Sequence, residues 1–127
     1  MKKALVCFLT LILVHVICAC RVSVPKNQTV ELVYKDPDTD IHAQLSEDES
    51  KKVIEIFNGK HLYFGSPSCG FGEEVSLRIN GKSYAPACDN CCIIKDCSSG
   101  MYFDISASER EIIEEYFAAY GVTFPCT

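Results

Sequence analysis

The chain has 127 residues, a formal net charge of −5, nine cysteines and no tryptophan. That length holds one domain. With seventeen carboxylates against twelve Lys and Arg, an electrostatic footprint for nucleic acid is excluded.

At the start of the chain, Lys2 and Lys3 precede an apolar run from Ala4 to Ile17, interrupted only by Thr10 and His15. The run is too short and too close to the terminus for a stable membrane span. Its charged start, apolar middle and small-residue end are those of an export signal. The run ends Ile17-Cys18-Ala19-Cys20, which resembles the lipobox of bacterial lipoproteins; Cys18 at the tolerant position is a departure from it. The resemblance implies that Cys20 becomes the first mature residue and carries a diacylglyceryl thioether, and two acyl chains anchor stably where one does not. The alternative is an ordinary secretory signal cut near Ala19, with a secreted product. Without residues 1–19 the chain keeps ten basic and seventeen acidic groups, a net −7. Anionic head groups repel such a domain, so contact with the membrane has to come from a covalent anchor.

Residues 20–29 contain Pro25 and are expected to be the anchor cysteine and a tether. A single domain is expected over 30–127. Val30 to Tyr34 is rich in β-formers and predicts a strand, ended by the loop Asp36-Pro37-Asp38-Thr39-Asp40. Ser46-Glu47-Asp48-Glu49 is a capping box whose acids suit the positive end of a helix dipole. Val53, Ile54 and Phe57 form the apolar face of that helix, and Asn58-Gly59 closes it. His61-Leu62-Tyr63-Phe64 predicts a strand, and Cys69-Gly70-Phe71-Gly72 a loop. Val75, Leu77 and Ile79 alternate with Ser76 and Arg78, which predicts a half-buried strand. Asn80-Gly81 predicts a type I′ hairpin turn, with Lys82 to Ala87 returning. Cys91–Ile94 and Met101–Ile105 read as a further hairpin. Ser106-Ala107-Ser108-Glu109 is a second capping box, followed by Ile112, Ile113, Tyr116, Phe117 and Tyr120 at helical spacing and by Gly121. The tail, with Cys126 beside Pro125, is expected to be pinned back by a bridge.

Six cysteines beyond Cys20 remain for chemistry: Cys69, Cys88, Cys91, Cys92, Cys97 and Cys126. An even number outside the cytoplasm favours disulfides. Adjacent Cys91 and Cys92 are too strained to bond each other. Cys92 with Cys97 is expected to close a small loop, leaving Cys69, Cys88, Cys91 and Cys126 to pair among themselves. A zinc site is the competing reading. Cys88-x-x-Cys91 is one good half-site, and Cys69 and Cys126 are the weak candidates for the other. Cys88-x-x-Cys91 is also similar to the active-site run of thioredoxin-like proteins, but that chemistry needs the first thiol at a helix N-terminus, and Cys92-Ile93-Ile94 is β-like. Asp36, Asp38, Asp40 and Glu47 match the first, third, fifth and twelfth ligand positions of an EF-hand loop, with Ile41 where the loop needs glycine. A helix start that welcomes acids is the plainer explanation. Other catalytic signatures are absent from the sequence.

Ser46-Glu47, Asn58-Gly59-Lys60, Ser68-Cys69-Gly70-Phe71, Ala87-Cys88-Asp89-x-Cys91 and Tyr120-Gly121-x-x-Phe124-Pro125-Cys126 together resemble small exported lipoproteins of clostridia-like, low-GC Gram-positive bacteria. The resemblance covers about residues 45–127 and implies a compact exported domain, with no activity attached to it.

The expected fold is α+β: an antiparallel sheet of three to five strands packed on two amphipathic helices and stapled by disulfides. Val53, Ile54, Phe57, Leu77, Ile79, Ile112, Ile113, Tyr116, Phe117 and Tyr120 are the expected core. The expected role is a membrane-anchored binding module outside the cell, meeting a protein or peptide, with no enzyme activity, cofactor or nucleic-acid partner. A zinc-binding lipoprotein is the alternative.

Overall fold

The computed structural model describes residues 20–124, together with Lys3, Val6 and Cys7. The rest of the expected signal segment and Cys126 lie outside the described residues. The described body runs β1 (Val30–Lys35), β2 (Asp40–Gln44), α1 (Glu47–Phe57), β3 (Val75–Ile79), β4 (Lys82–Pro86), β5 (Ile93–Asp96), β6 (Met101–Asp104) and α2 (Ala107–Ala118). The strands form one antiparallel sheet in the order β2-β1-β3-β4-β5-β6. The class is α+β, and the sheet has six strands instead of the expected three to five. The unexpected strand is β2, an edge strand paired with β1 across the Asp36–Thr39 turn. Its alternation of Asp40, His42 and Gln44 with Ile41 and Ala43 buries little, so its apolar signal is weak. His61–Phe64 is reduced to isolated bridges, Arg21 with His61 and Tyr63 with Tyr102.

Local chemistry accounts for the helix ends and the hairpin. In each capping box the serine hydroxyl, of Ser46 or Ser106, accepts from the amide three residues on. The glutamate there, Glu49 or Glu109, reaches back to the serine amide, so two otherwise unpaired donors are satisfied reciprocally. Asn80 and Gly81 take φ of 50° and 76°, the left-handed conformation that lets β3 return as β4 over two residues.

Register puts Leu32, Leu77 and Tyr84 in one row, and Pro86, Ile94 and Phe103 in another, on the same sheet face. The helices cover this face. Phe57 at the end of α1 sits with its ring 5.2 Å from that of Tyr84 and 5.1 Å from that of Phe103, in the tilted and edge-on geometries that aromatic quadrupoles favour. Of the expected core, Val53, Ile54, Phe57, Leu77, Ile79, Ile113 and Phe117 are buried. Ile112 and Tyr116 are only partly buried, and Tyr120 is 43% exposed. The buried stripe of α2 is narrow because Arg110 occupies part of it with Ile113 and Phe117.

The segment expected to be a tether is not free over its first five residues. Val22 and Val24 are buried in the core cluster. The Val22 amide donates to Lys60 O at 2.9 Å, the Gly59 amide donates to Val22 O at 2.9 Å, and the Leu62 amide donates to Cys20 O at 2.7 Å. The Asn58 side chain spans Val24, accepting from its amide and donating to its carbonyl. Residues 20–24 therefore lie on the domain as an extended strap.

Residues 65–74 form a second strap. They carry the chain from Tyr63, beside β6, back to β3, across the face opposite the helices. There Phe71 stacks 5.3 Å from Tyr102, the Cys88 amide donates to Gly70 O, and the Lys35 amide donates to Glu74 O. The Ser76 hydroxyl donates to Glu73 O at 2.9 Å. Val33, Ser76 and Ala85, which register directs to this face, are buried. The sheet is thus sandwiched between two helices and a loop.

An ion pair joins the two ends of the helix layer: Lys60 Nζ lies 2.7 Å from Glu109 Oε2. Burial alone would raise the Glu109 pKa, but the Lys60 ammonium and the Ser106 amide and hydroxyl outweigh it and hold the carboxyl below the usual glutamate range. A folded-state pKa below the unfolded one contributes stability above the ordinary value of about 4.3, and that contribution is lost as pH falls through the folded value. Wild type should therefore lose more stability than Glu109→Gln when urea midpoints are compared between about pH 6 and about pH 3. Equal losses in the two proteins would remove Glu109 from the acid response.

Candidate functional site: the stapled cysteine loop

Residues 87–92 connect β4 to β5 and carry Cys88, Cys91 and Cys92. The loop is held from two directions. On the loop-covered face, Cys91 is bonded to Cys69, with Cα atoms 6.5 Å apart and a sequence separation of 22. This bridge joins the 65–74 strap to the β4–β5 connection and closes it over the sheet. On the helix side, Arg110 of α2 gathers the loop's carbonyls. Its guanidinium donates to Cys91 O, to Asp89 O, and to Ala87 O at 3.2 Å. Its Nε donates to Glu114 Oε1 at 2.6 Å, and its planar head lies 5.4 Å from the centre of the Phe124 ring. Arg110 is only 7% exposed. A rigid, always-charged fork with five donors is suited to three converging carbonyls, where a lysine ammonium is not.

Arg110 was not among the sequence candidates. Its only local signal is Glu114 four residues on, the spacing of an ordinary helix ion pair. The three carbonyls it binds lie 19 to 23 residues away.

The cysteines separate into distinct environments. Cys69 and Cys91 form the one disulfide among the described residues. Cys88 and Cys92 are unbridged and pack against the core cluster on the helix side. Cys97 follows β5, and its amide donates to Ser83 O. Burial, then the nearby Glu73 carboxylate, pushes the Cys97 thiol pKa up, which disfavours a reactive thiolate. The expected Cys92–Cys97 bridge is overturned. Ile93–Asp96 is a strand, and a strand rising 3.3 Å per residue sets the two cysteines about 16 Å apart, far beyond disulfide reach. Cys126 lies outside the described residues.

The thioredoxin-like reading fails on the same geometry. Cys88 opens no helix, and Cys91 is bonded to Cys69 instead of Cys88. Of the zinc candidates, the structure brings together Cys69 and Cys91, and it adds Asp89. One ligand atom from each lies within 4.8 Å of the others. While the two sulfurs are bonded to each other neither is a thiolate ligand; Asp89 Oδ1 accepts from the Cys91 amide at 2.9 Å. Cys88 is not part of this group.

The EF-hand spacing does not become a site. The Asp36 carboxylate accepts from the Asp38 amide at 2.8 Å and from the Tyr34 hydroxyl at 3.0 Å. These bonds hold its pKa below the usual range. They build the β1–β2 turn, and β2 then carries the chain away from Asp40 before Glu47 opens α1. An extended strand between the fifth and twelfth positions prevents the loop from wrapping round an ion.

Near the loop, Tyr63 lies beside Tyr102 and donates to Asp104 Oδ1 at 2.7 Å. Burial first, then the Asp104 carboxylate, pushes its pKa up to about 12. The phenol stays a donor at physiological pH and acts as a strut between the 61–64 segment and β6. A separate cleft of about 890 Å³ lies between residues 26–29 and α1. Lys26, Glu47, Lys51 and Glu55 line it with both signs of charge, so it favours neither anions nor cations.

Comparison with protein-family profiles, with curated proteins and with solved structures finds no match to this chain.

Proposed function

We propose that this chain is an exported, lipid-anchored interaction module that presents a disulfide-stapled surface to a protein or peptide outside the cell. The observation that carries the reading is the Cys69–Cys91 bridge. It locks the 65–74 strap to the β4–β5 loop, and a preorganised loop surface loses less conformational entropy on binding than a mobile one. A structural bridge between distant loops also fits an oxidising compartment, which agrees with the export signal and lipobox resemblance at Ile17–Cys20.

A second reading, a zinc-binding lipoprotein, is favoured by the closeness of Cys69, Asp89 and Cys91. In it, reduction would turn both sulfurs into ligands. The two readings respond oppositely to reagents. For protein exported and purified without chelator, the binding-module reading expects reductant to lower unfolding stability by about 3 kcal/mol. It expects a chelator to leave the urea midpoint unchanged. Stoichiometric zinc and a chelator-sensitive midpoint would replace the first reading with the second.

A further inference from the structure

We propose that the anchored domain does not swing on a flexible leash but sits on the bilayer in one orientation, with Phe64 inserted at the membrane interface beside Cys20. The inference rests on the lipid-anchor reading above and deepens it. Its basis is the strap. Cys20 O accepts from the Leu62 amide, Val22 pairs with Lys60 and Gly59, and Arg21 forms a bridge with His61. The Arg21 guanidinium also donates to Gly59 O at 2.8 Å. Acyl chains on the Cys20 sulfur would therefore start from a backbone already fixed to residues 59–62, with no free linker between lipid and domain.

Phe64 lies two residues beyond Leu62, within about 7 Å along an extended chain. It is 80% exposed, the most exposed large apolar side chain of the described residues. A lone exposed phenylalanine needs no explanation by itself. Its place next to the attachment point is what gives it an occupant, since lipids on Cys20 bring the bilayer surface to that spot. The charge there fits as well. Arg21 and His61 are exposed beside Cys20, and Lys60 follows with its charge shared by Glu109. The one neighbouring carboxylate on β6, Asp104, accepts from the Tyr63 hydroxyl. On a domain that is acidic overall, Arg21 puts an exposed guanidinium, which suits anionic head groups, next to the anchor. An exposed phenylalanine and an arginine beside one anchor are the elements of an interfacial contact.

The chain has no tryptophan, so Phe64→Trp places a single reporter at the contact, and the position is exposed enough to accept it. Asp38→Trp, in the exposed turn joining the edge strand β2 to β1, is the control. Both proteins are made as the full exported chain, and intact mass first establishes whether Cys20 carries lipid. The lipidated proteins are then reconstituted in phosphatidylcholine–phosphatidylglycerol vesicles with and without brominated acyl chains. The expected result is a shift of the Phe64→Trp emission to shorter wavelength and strong quenching by brominated lipid, with Asp38→Trp unchanged. Lipid on Cys20 with no difference between the two reporters overturns the oriented contact and leaves the anchor standing. Cys20 without lipid overturns both.

Discussion

Arg110→Ala is expected to cost the domain about 3–5 kcal/mol, chiefly because it leaves three gathered carbonyls without a donor; the half-exposed Glu114 carboxylate that loses its cation adds little. The carbonyls of Ala87, Asp89 and Cys91 converge on one guanidinium, and an alanine leaves both the bonds and the volume unfilled. Water entering from the Phe124 side could restore part of the bonding, which is why the estimate is smaller than three separate losses. Domains of this size are stable by about 5–15 kcal/mol, so the urea midpoint should fall by a large fraction. Arg110→Lys restores the charge but cannot reach three acceptors with one ammonium, and it should recover only a minor part. The loop should also open locally. Cys88 and Cys92, now packed on the core, should react with a thiol reagent in native buffer much faster than in wild type. A loss below about 1 kcal/mol, the scale of a surface ion pair, would mean that Arg110 is a bystander and the disulfide alone shapes the loop.

Phe57→Ala should cost about 3–5 kcal/mol by transfer and cavity terms together. Phe57 is fully buried and touches the rings of Tyr84 on β4 and Phe103 on β6. It therefore joins α1 to two strands that are not neighbours in the sheet, with β5 between them. Few nearby side chains can move into the space it leaves, since strands on either side are held by their ladders. Phe57→Leu keeps most of the volume and should cost about 1–2 kcal/mol. Chemical unfolding of the two variants against wild type tests this, and equal costs for leucine and alanine would show that the site collapses freely.

The same two residues mark how far sequence reasoning reached. Phe57 is legible: it closes the Val53–Phe57 stripe of a helix announced by the Ser46–Glu49 box, all within twelve residues. Arg110 is not, because its acceptors are backbone atoms, which carry no sequence identity, on a loop that only tertiary packing brings near. The strap of residues 20–24 falls between these cases. Val22 and Val24 alternate with Arg21 and Ser23, but five residues beside a proline are too few for a period to be read. For β2 the difficulty was that an edge strand buries little and so shows little pattern.

What the sequence determined by itself is the set of features whose partners lie within one turn or one hairpin: both capping boxes, the α1 stripe, the Asn80-Gly81 turn and the alternation of β3. In each, the chain's own short-range geometry leaves one arrangement that satisfies its hydrogen bonds and buries its apolar groups. Tertiary structure alone decided that Cys69 meets Cys91 while β5 holds Cys92 and Cys97 apart, that Arg110 gathers the loop, and that residues 65–74 cover the second face. Cysteines are chemically identical and peptide carbonyls are all alike, so which ones meet depends on where the whole sheet places them.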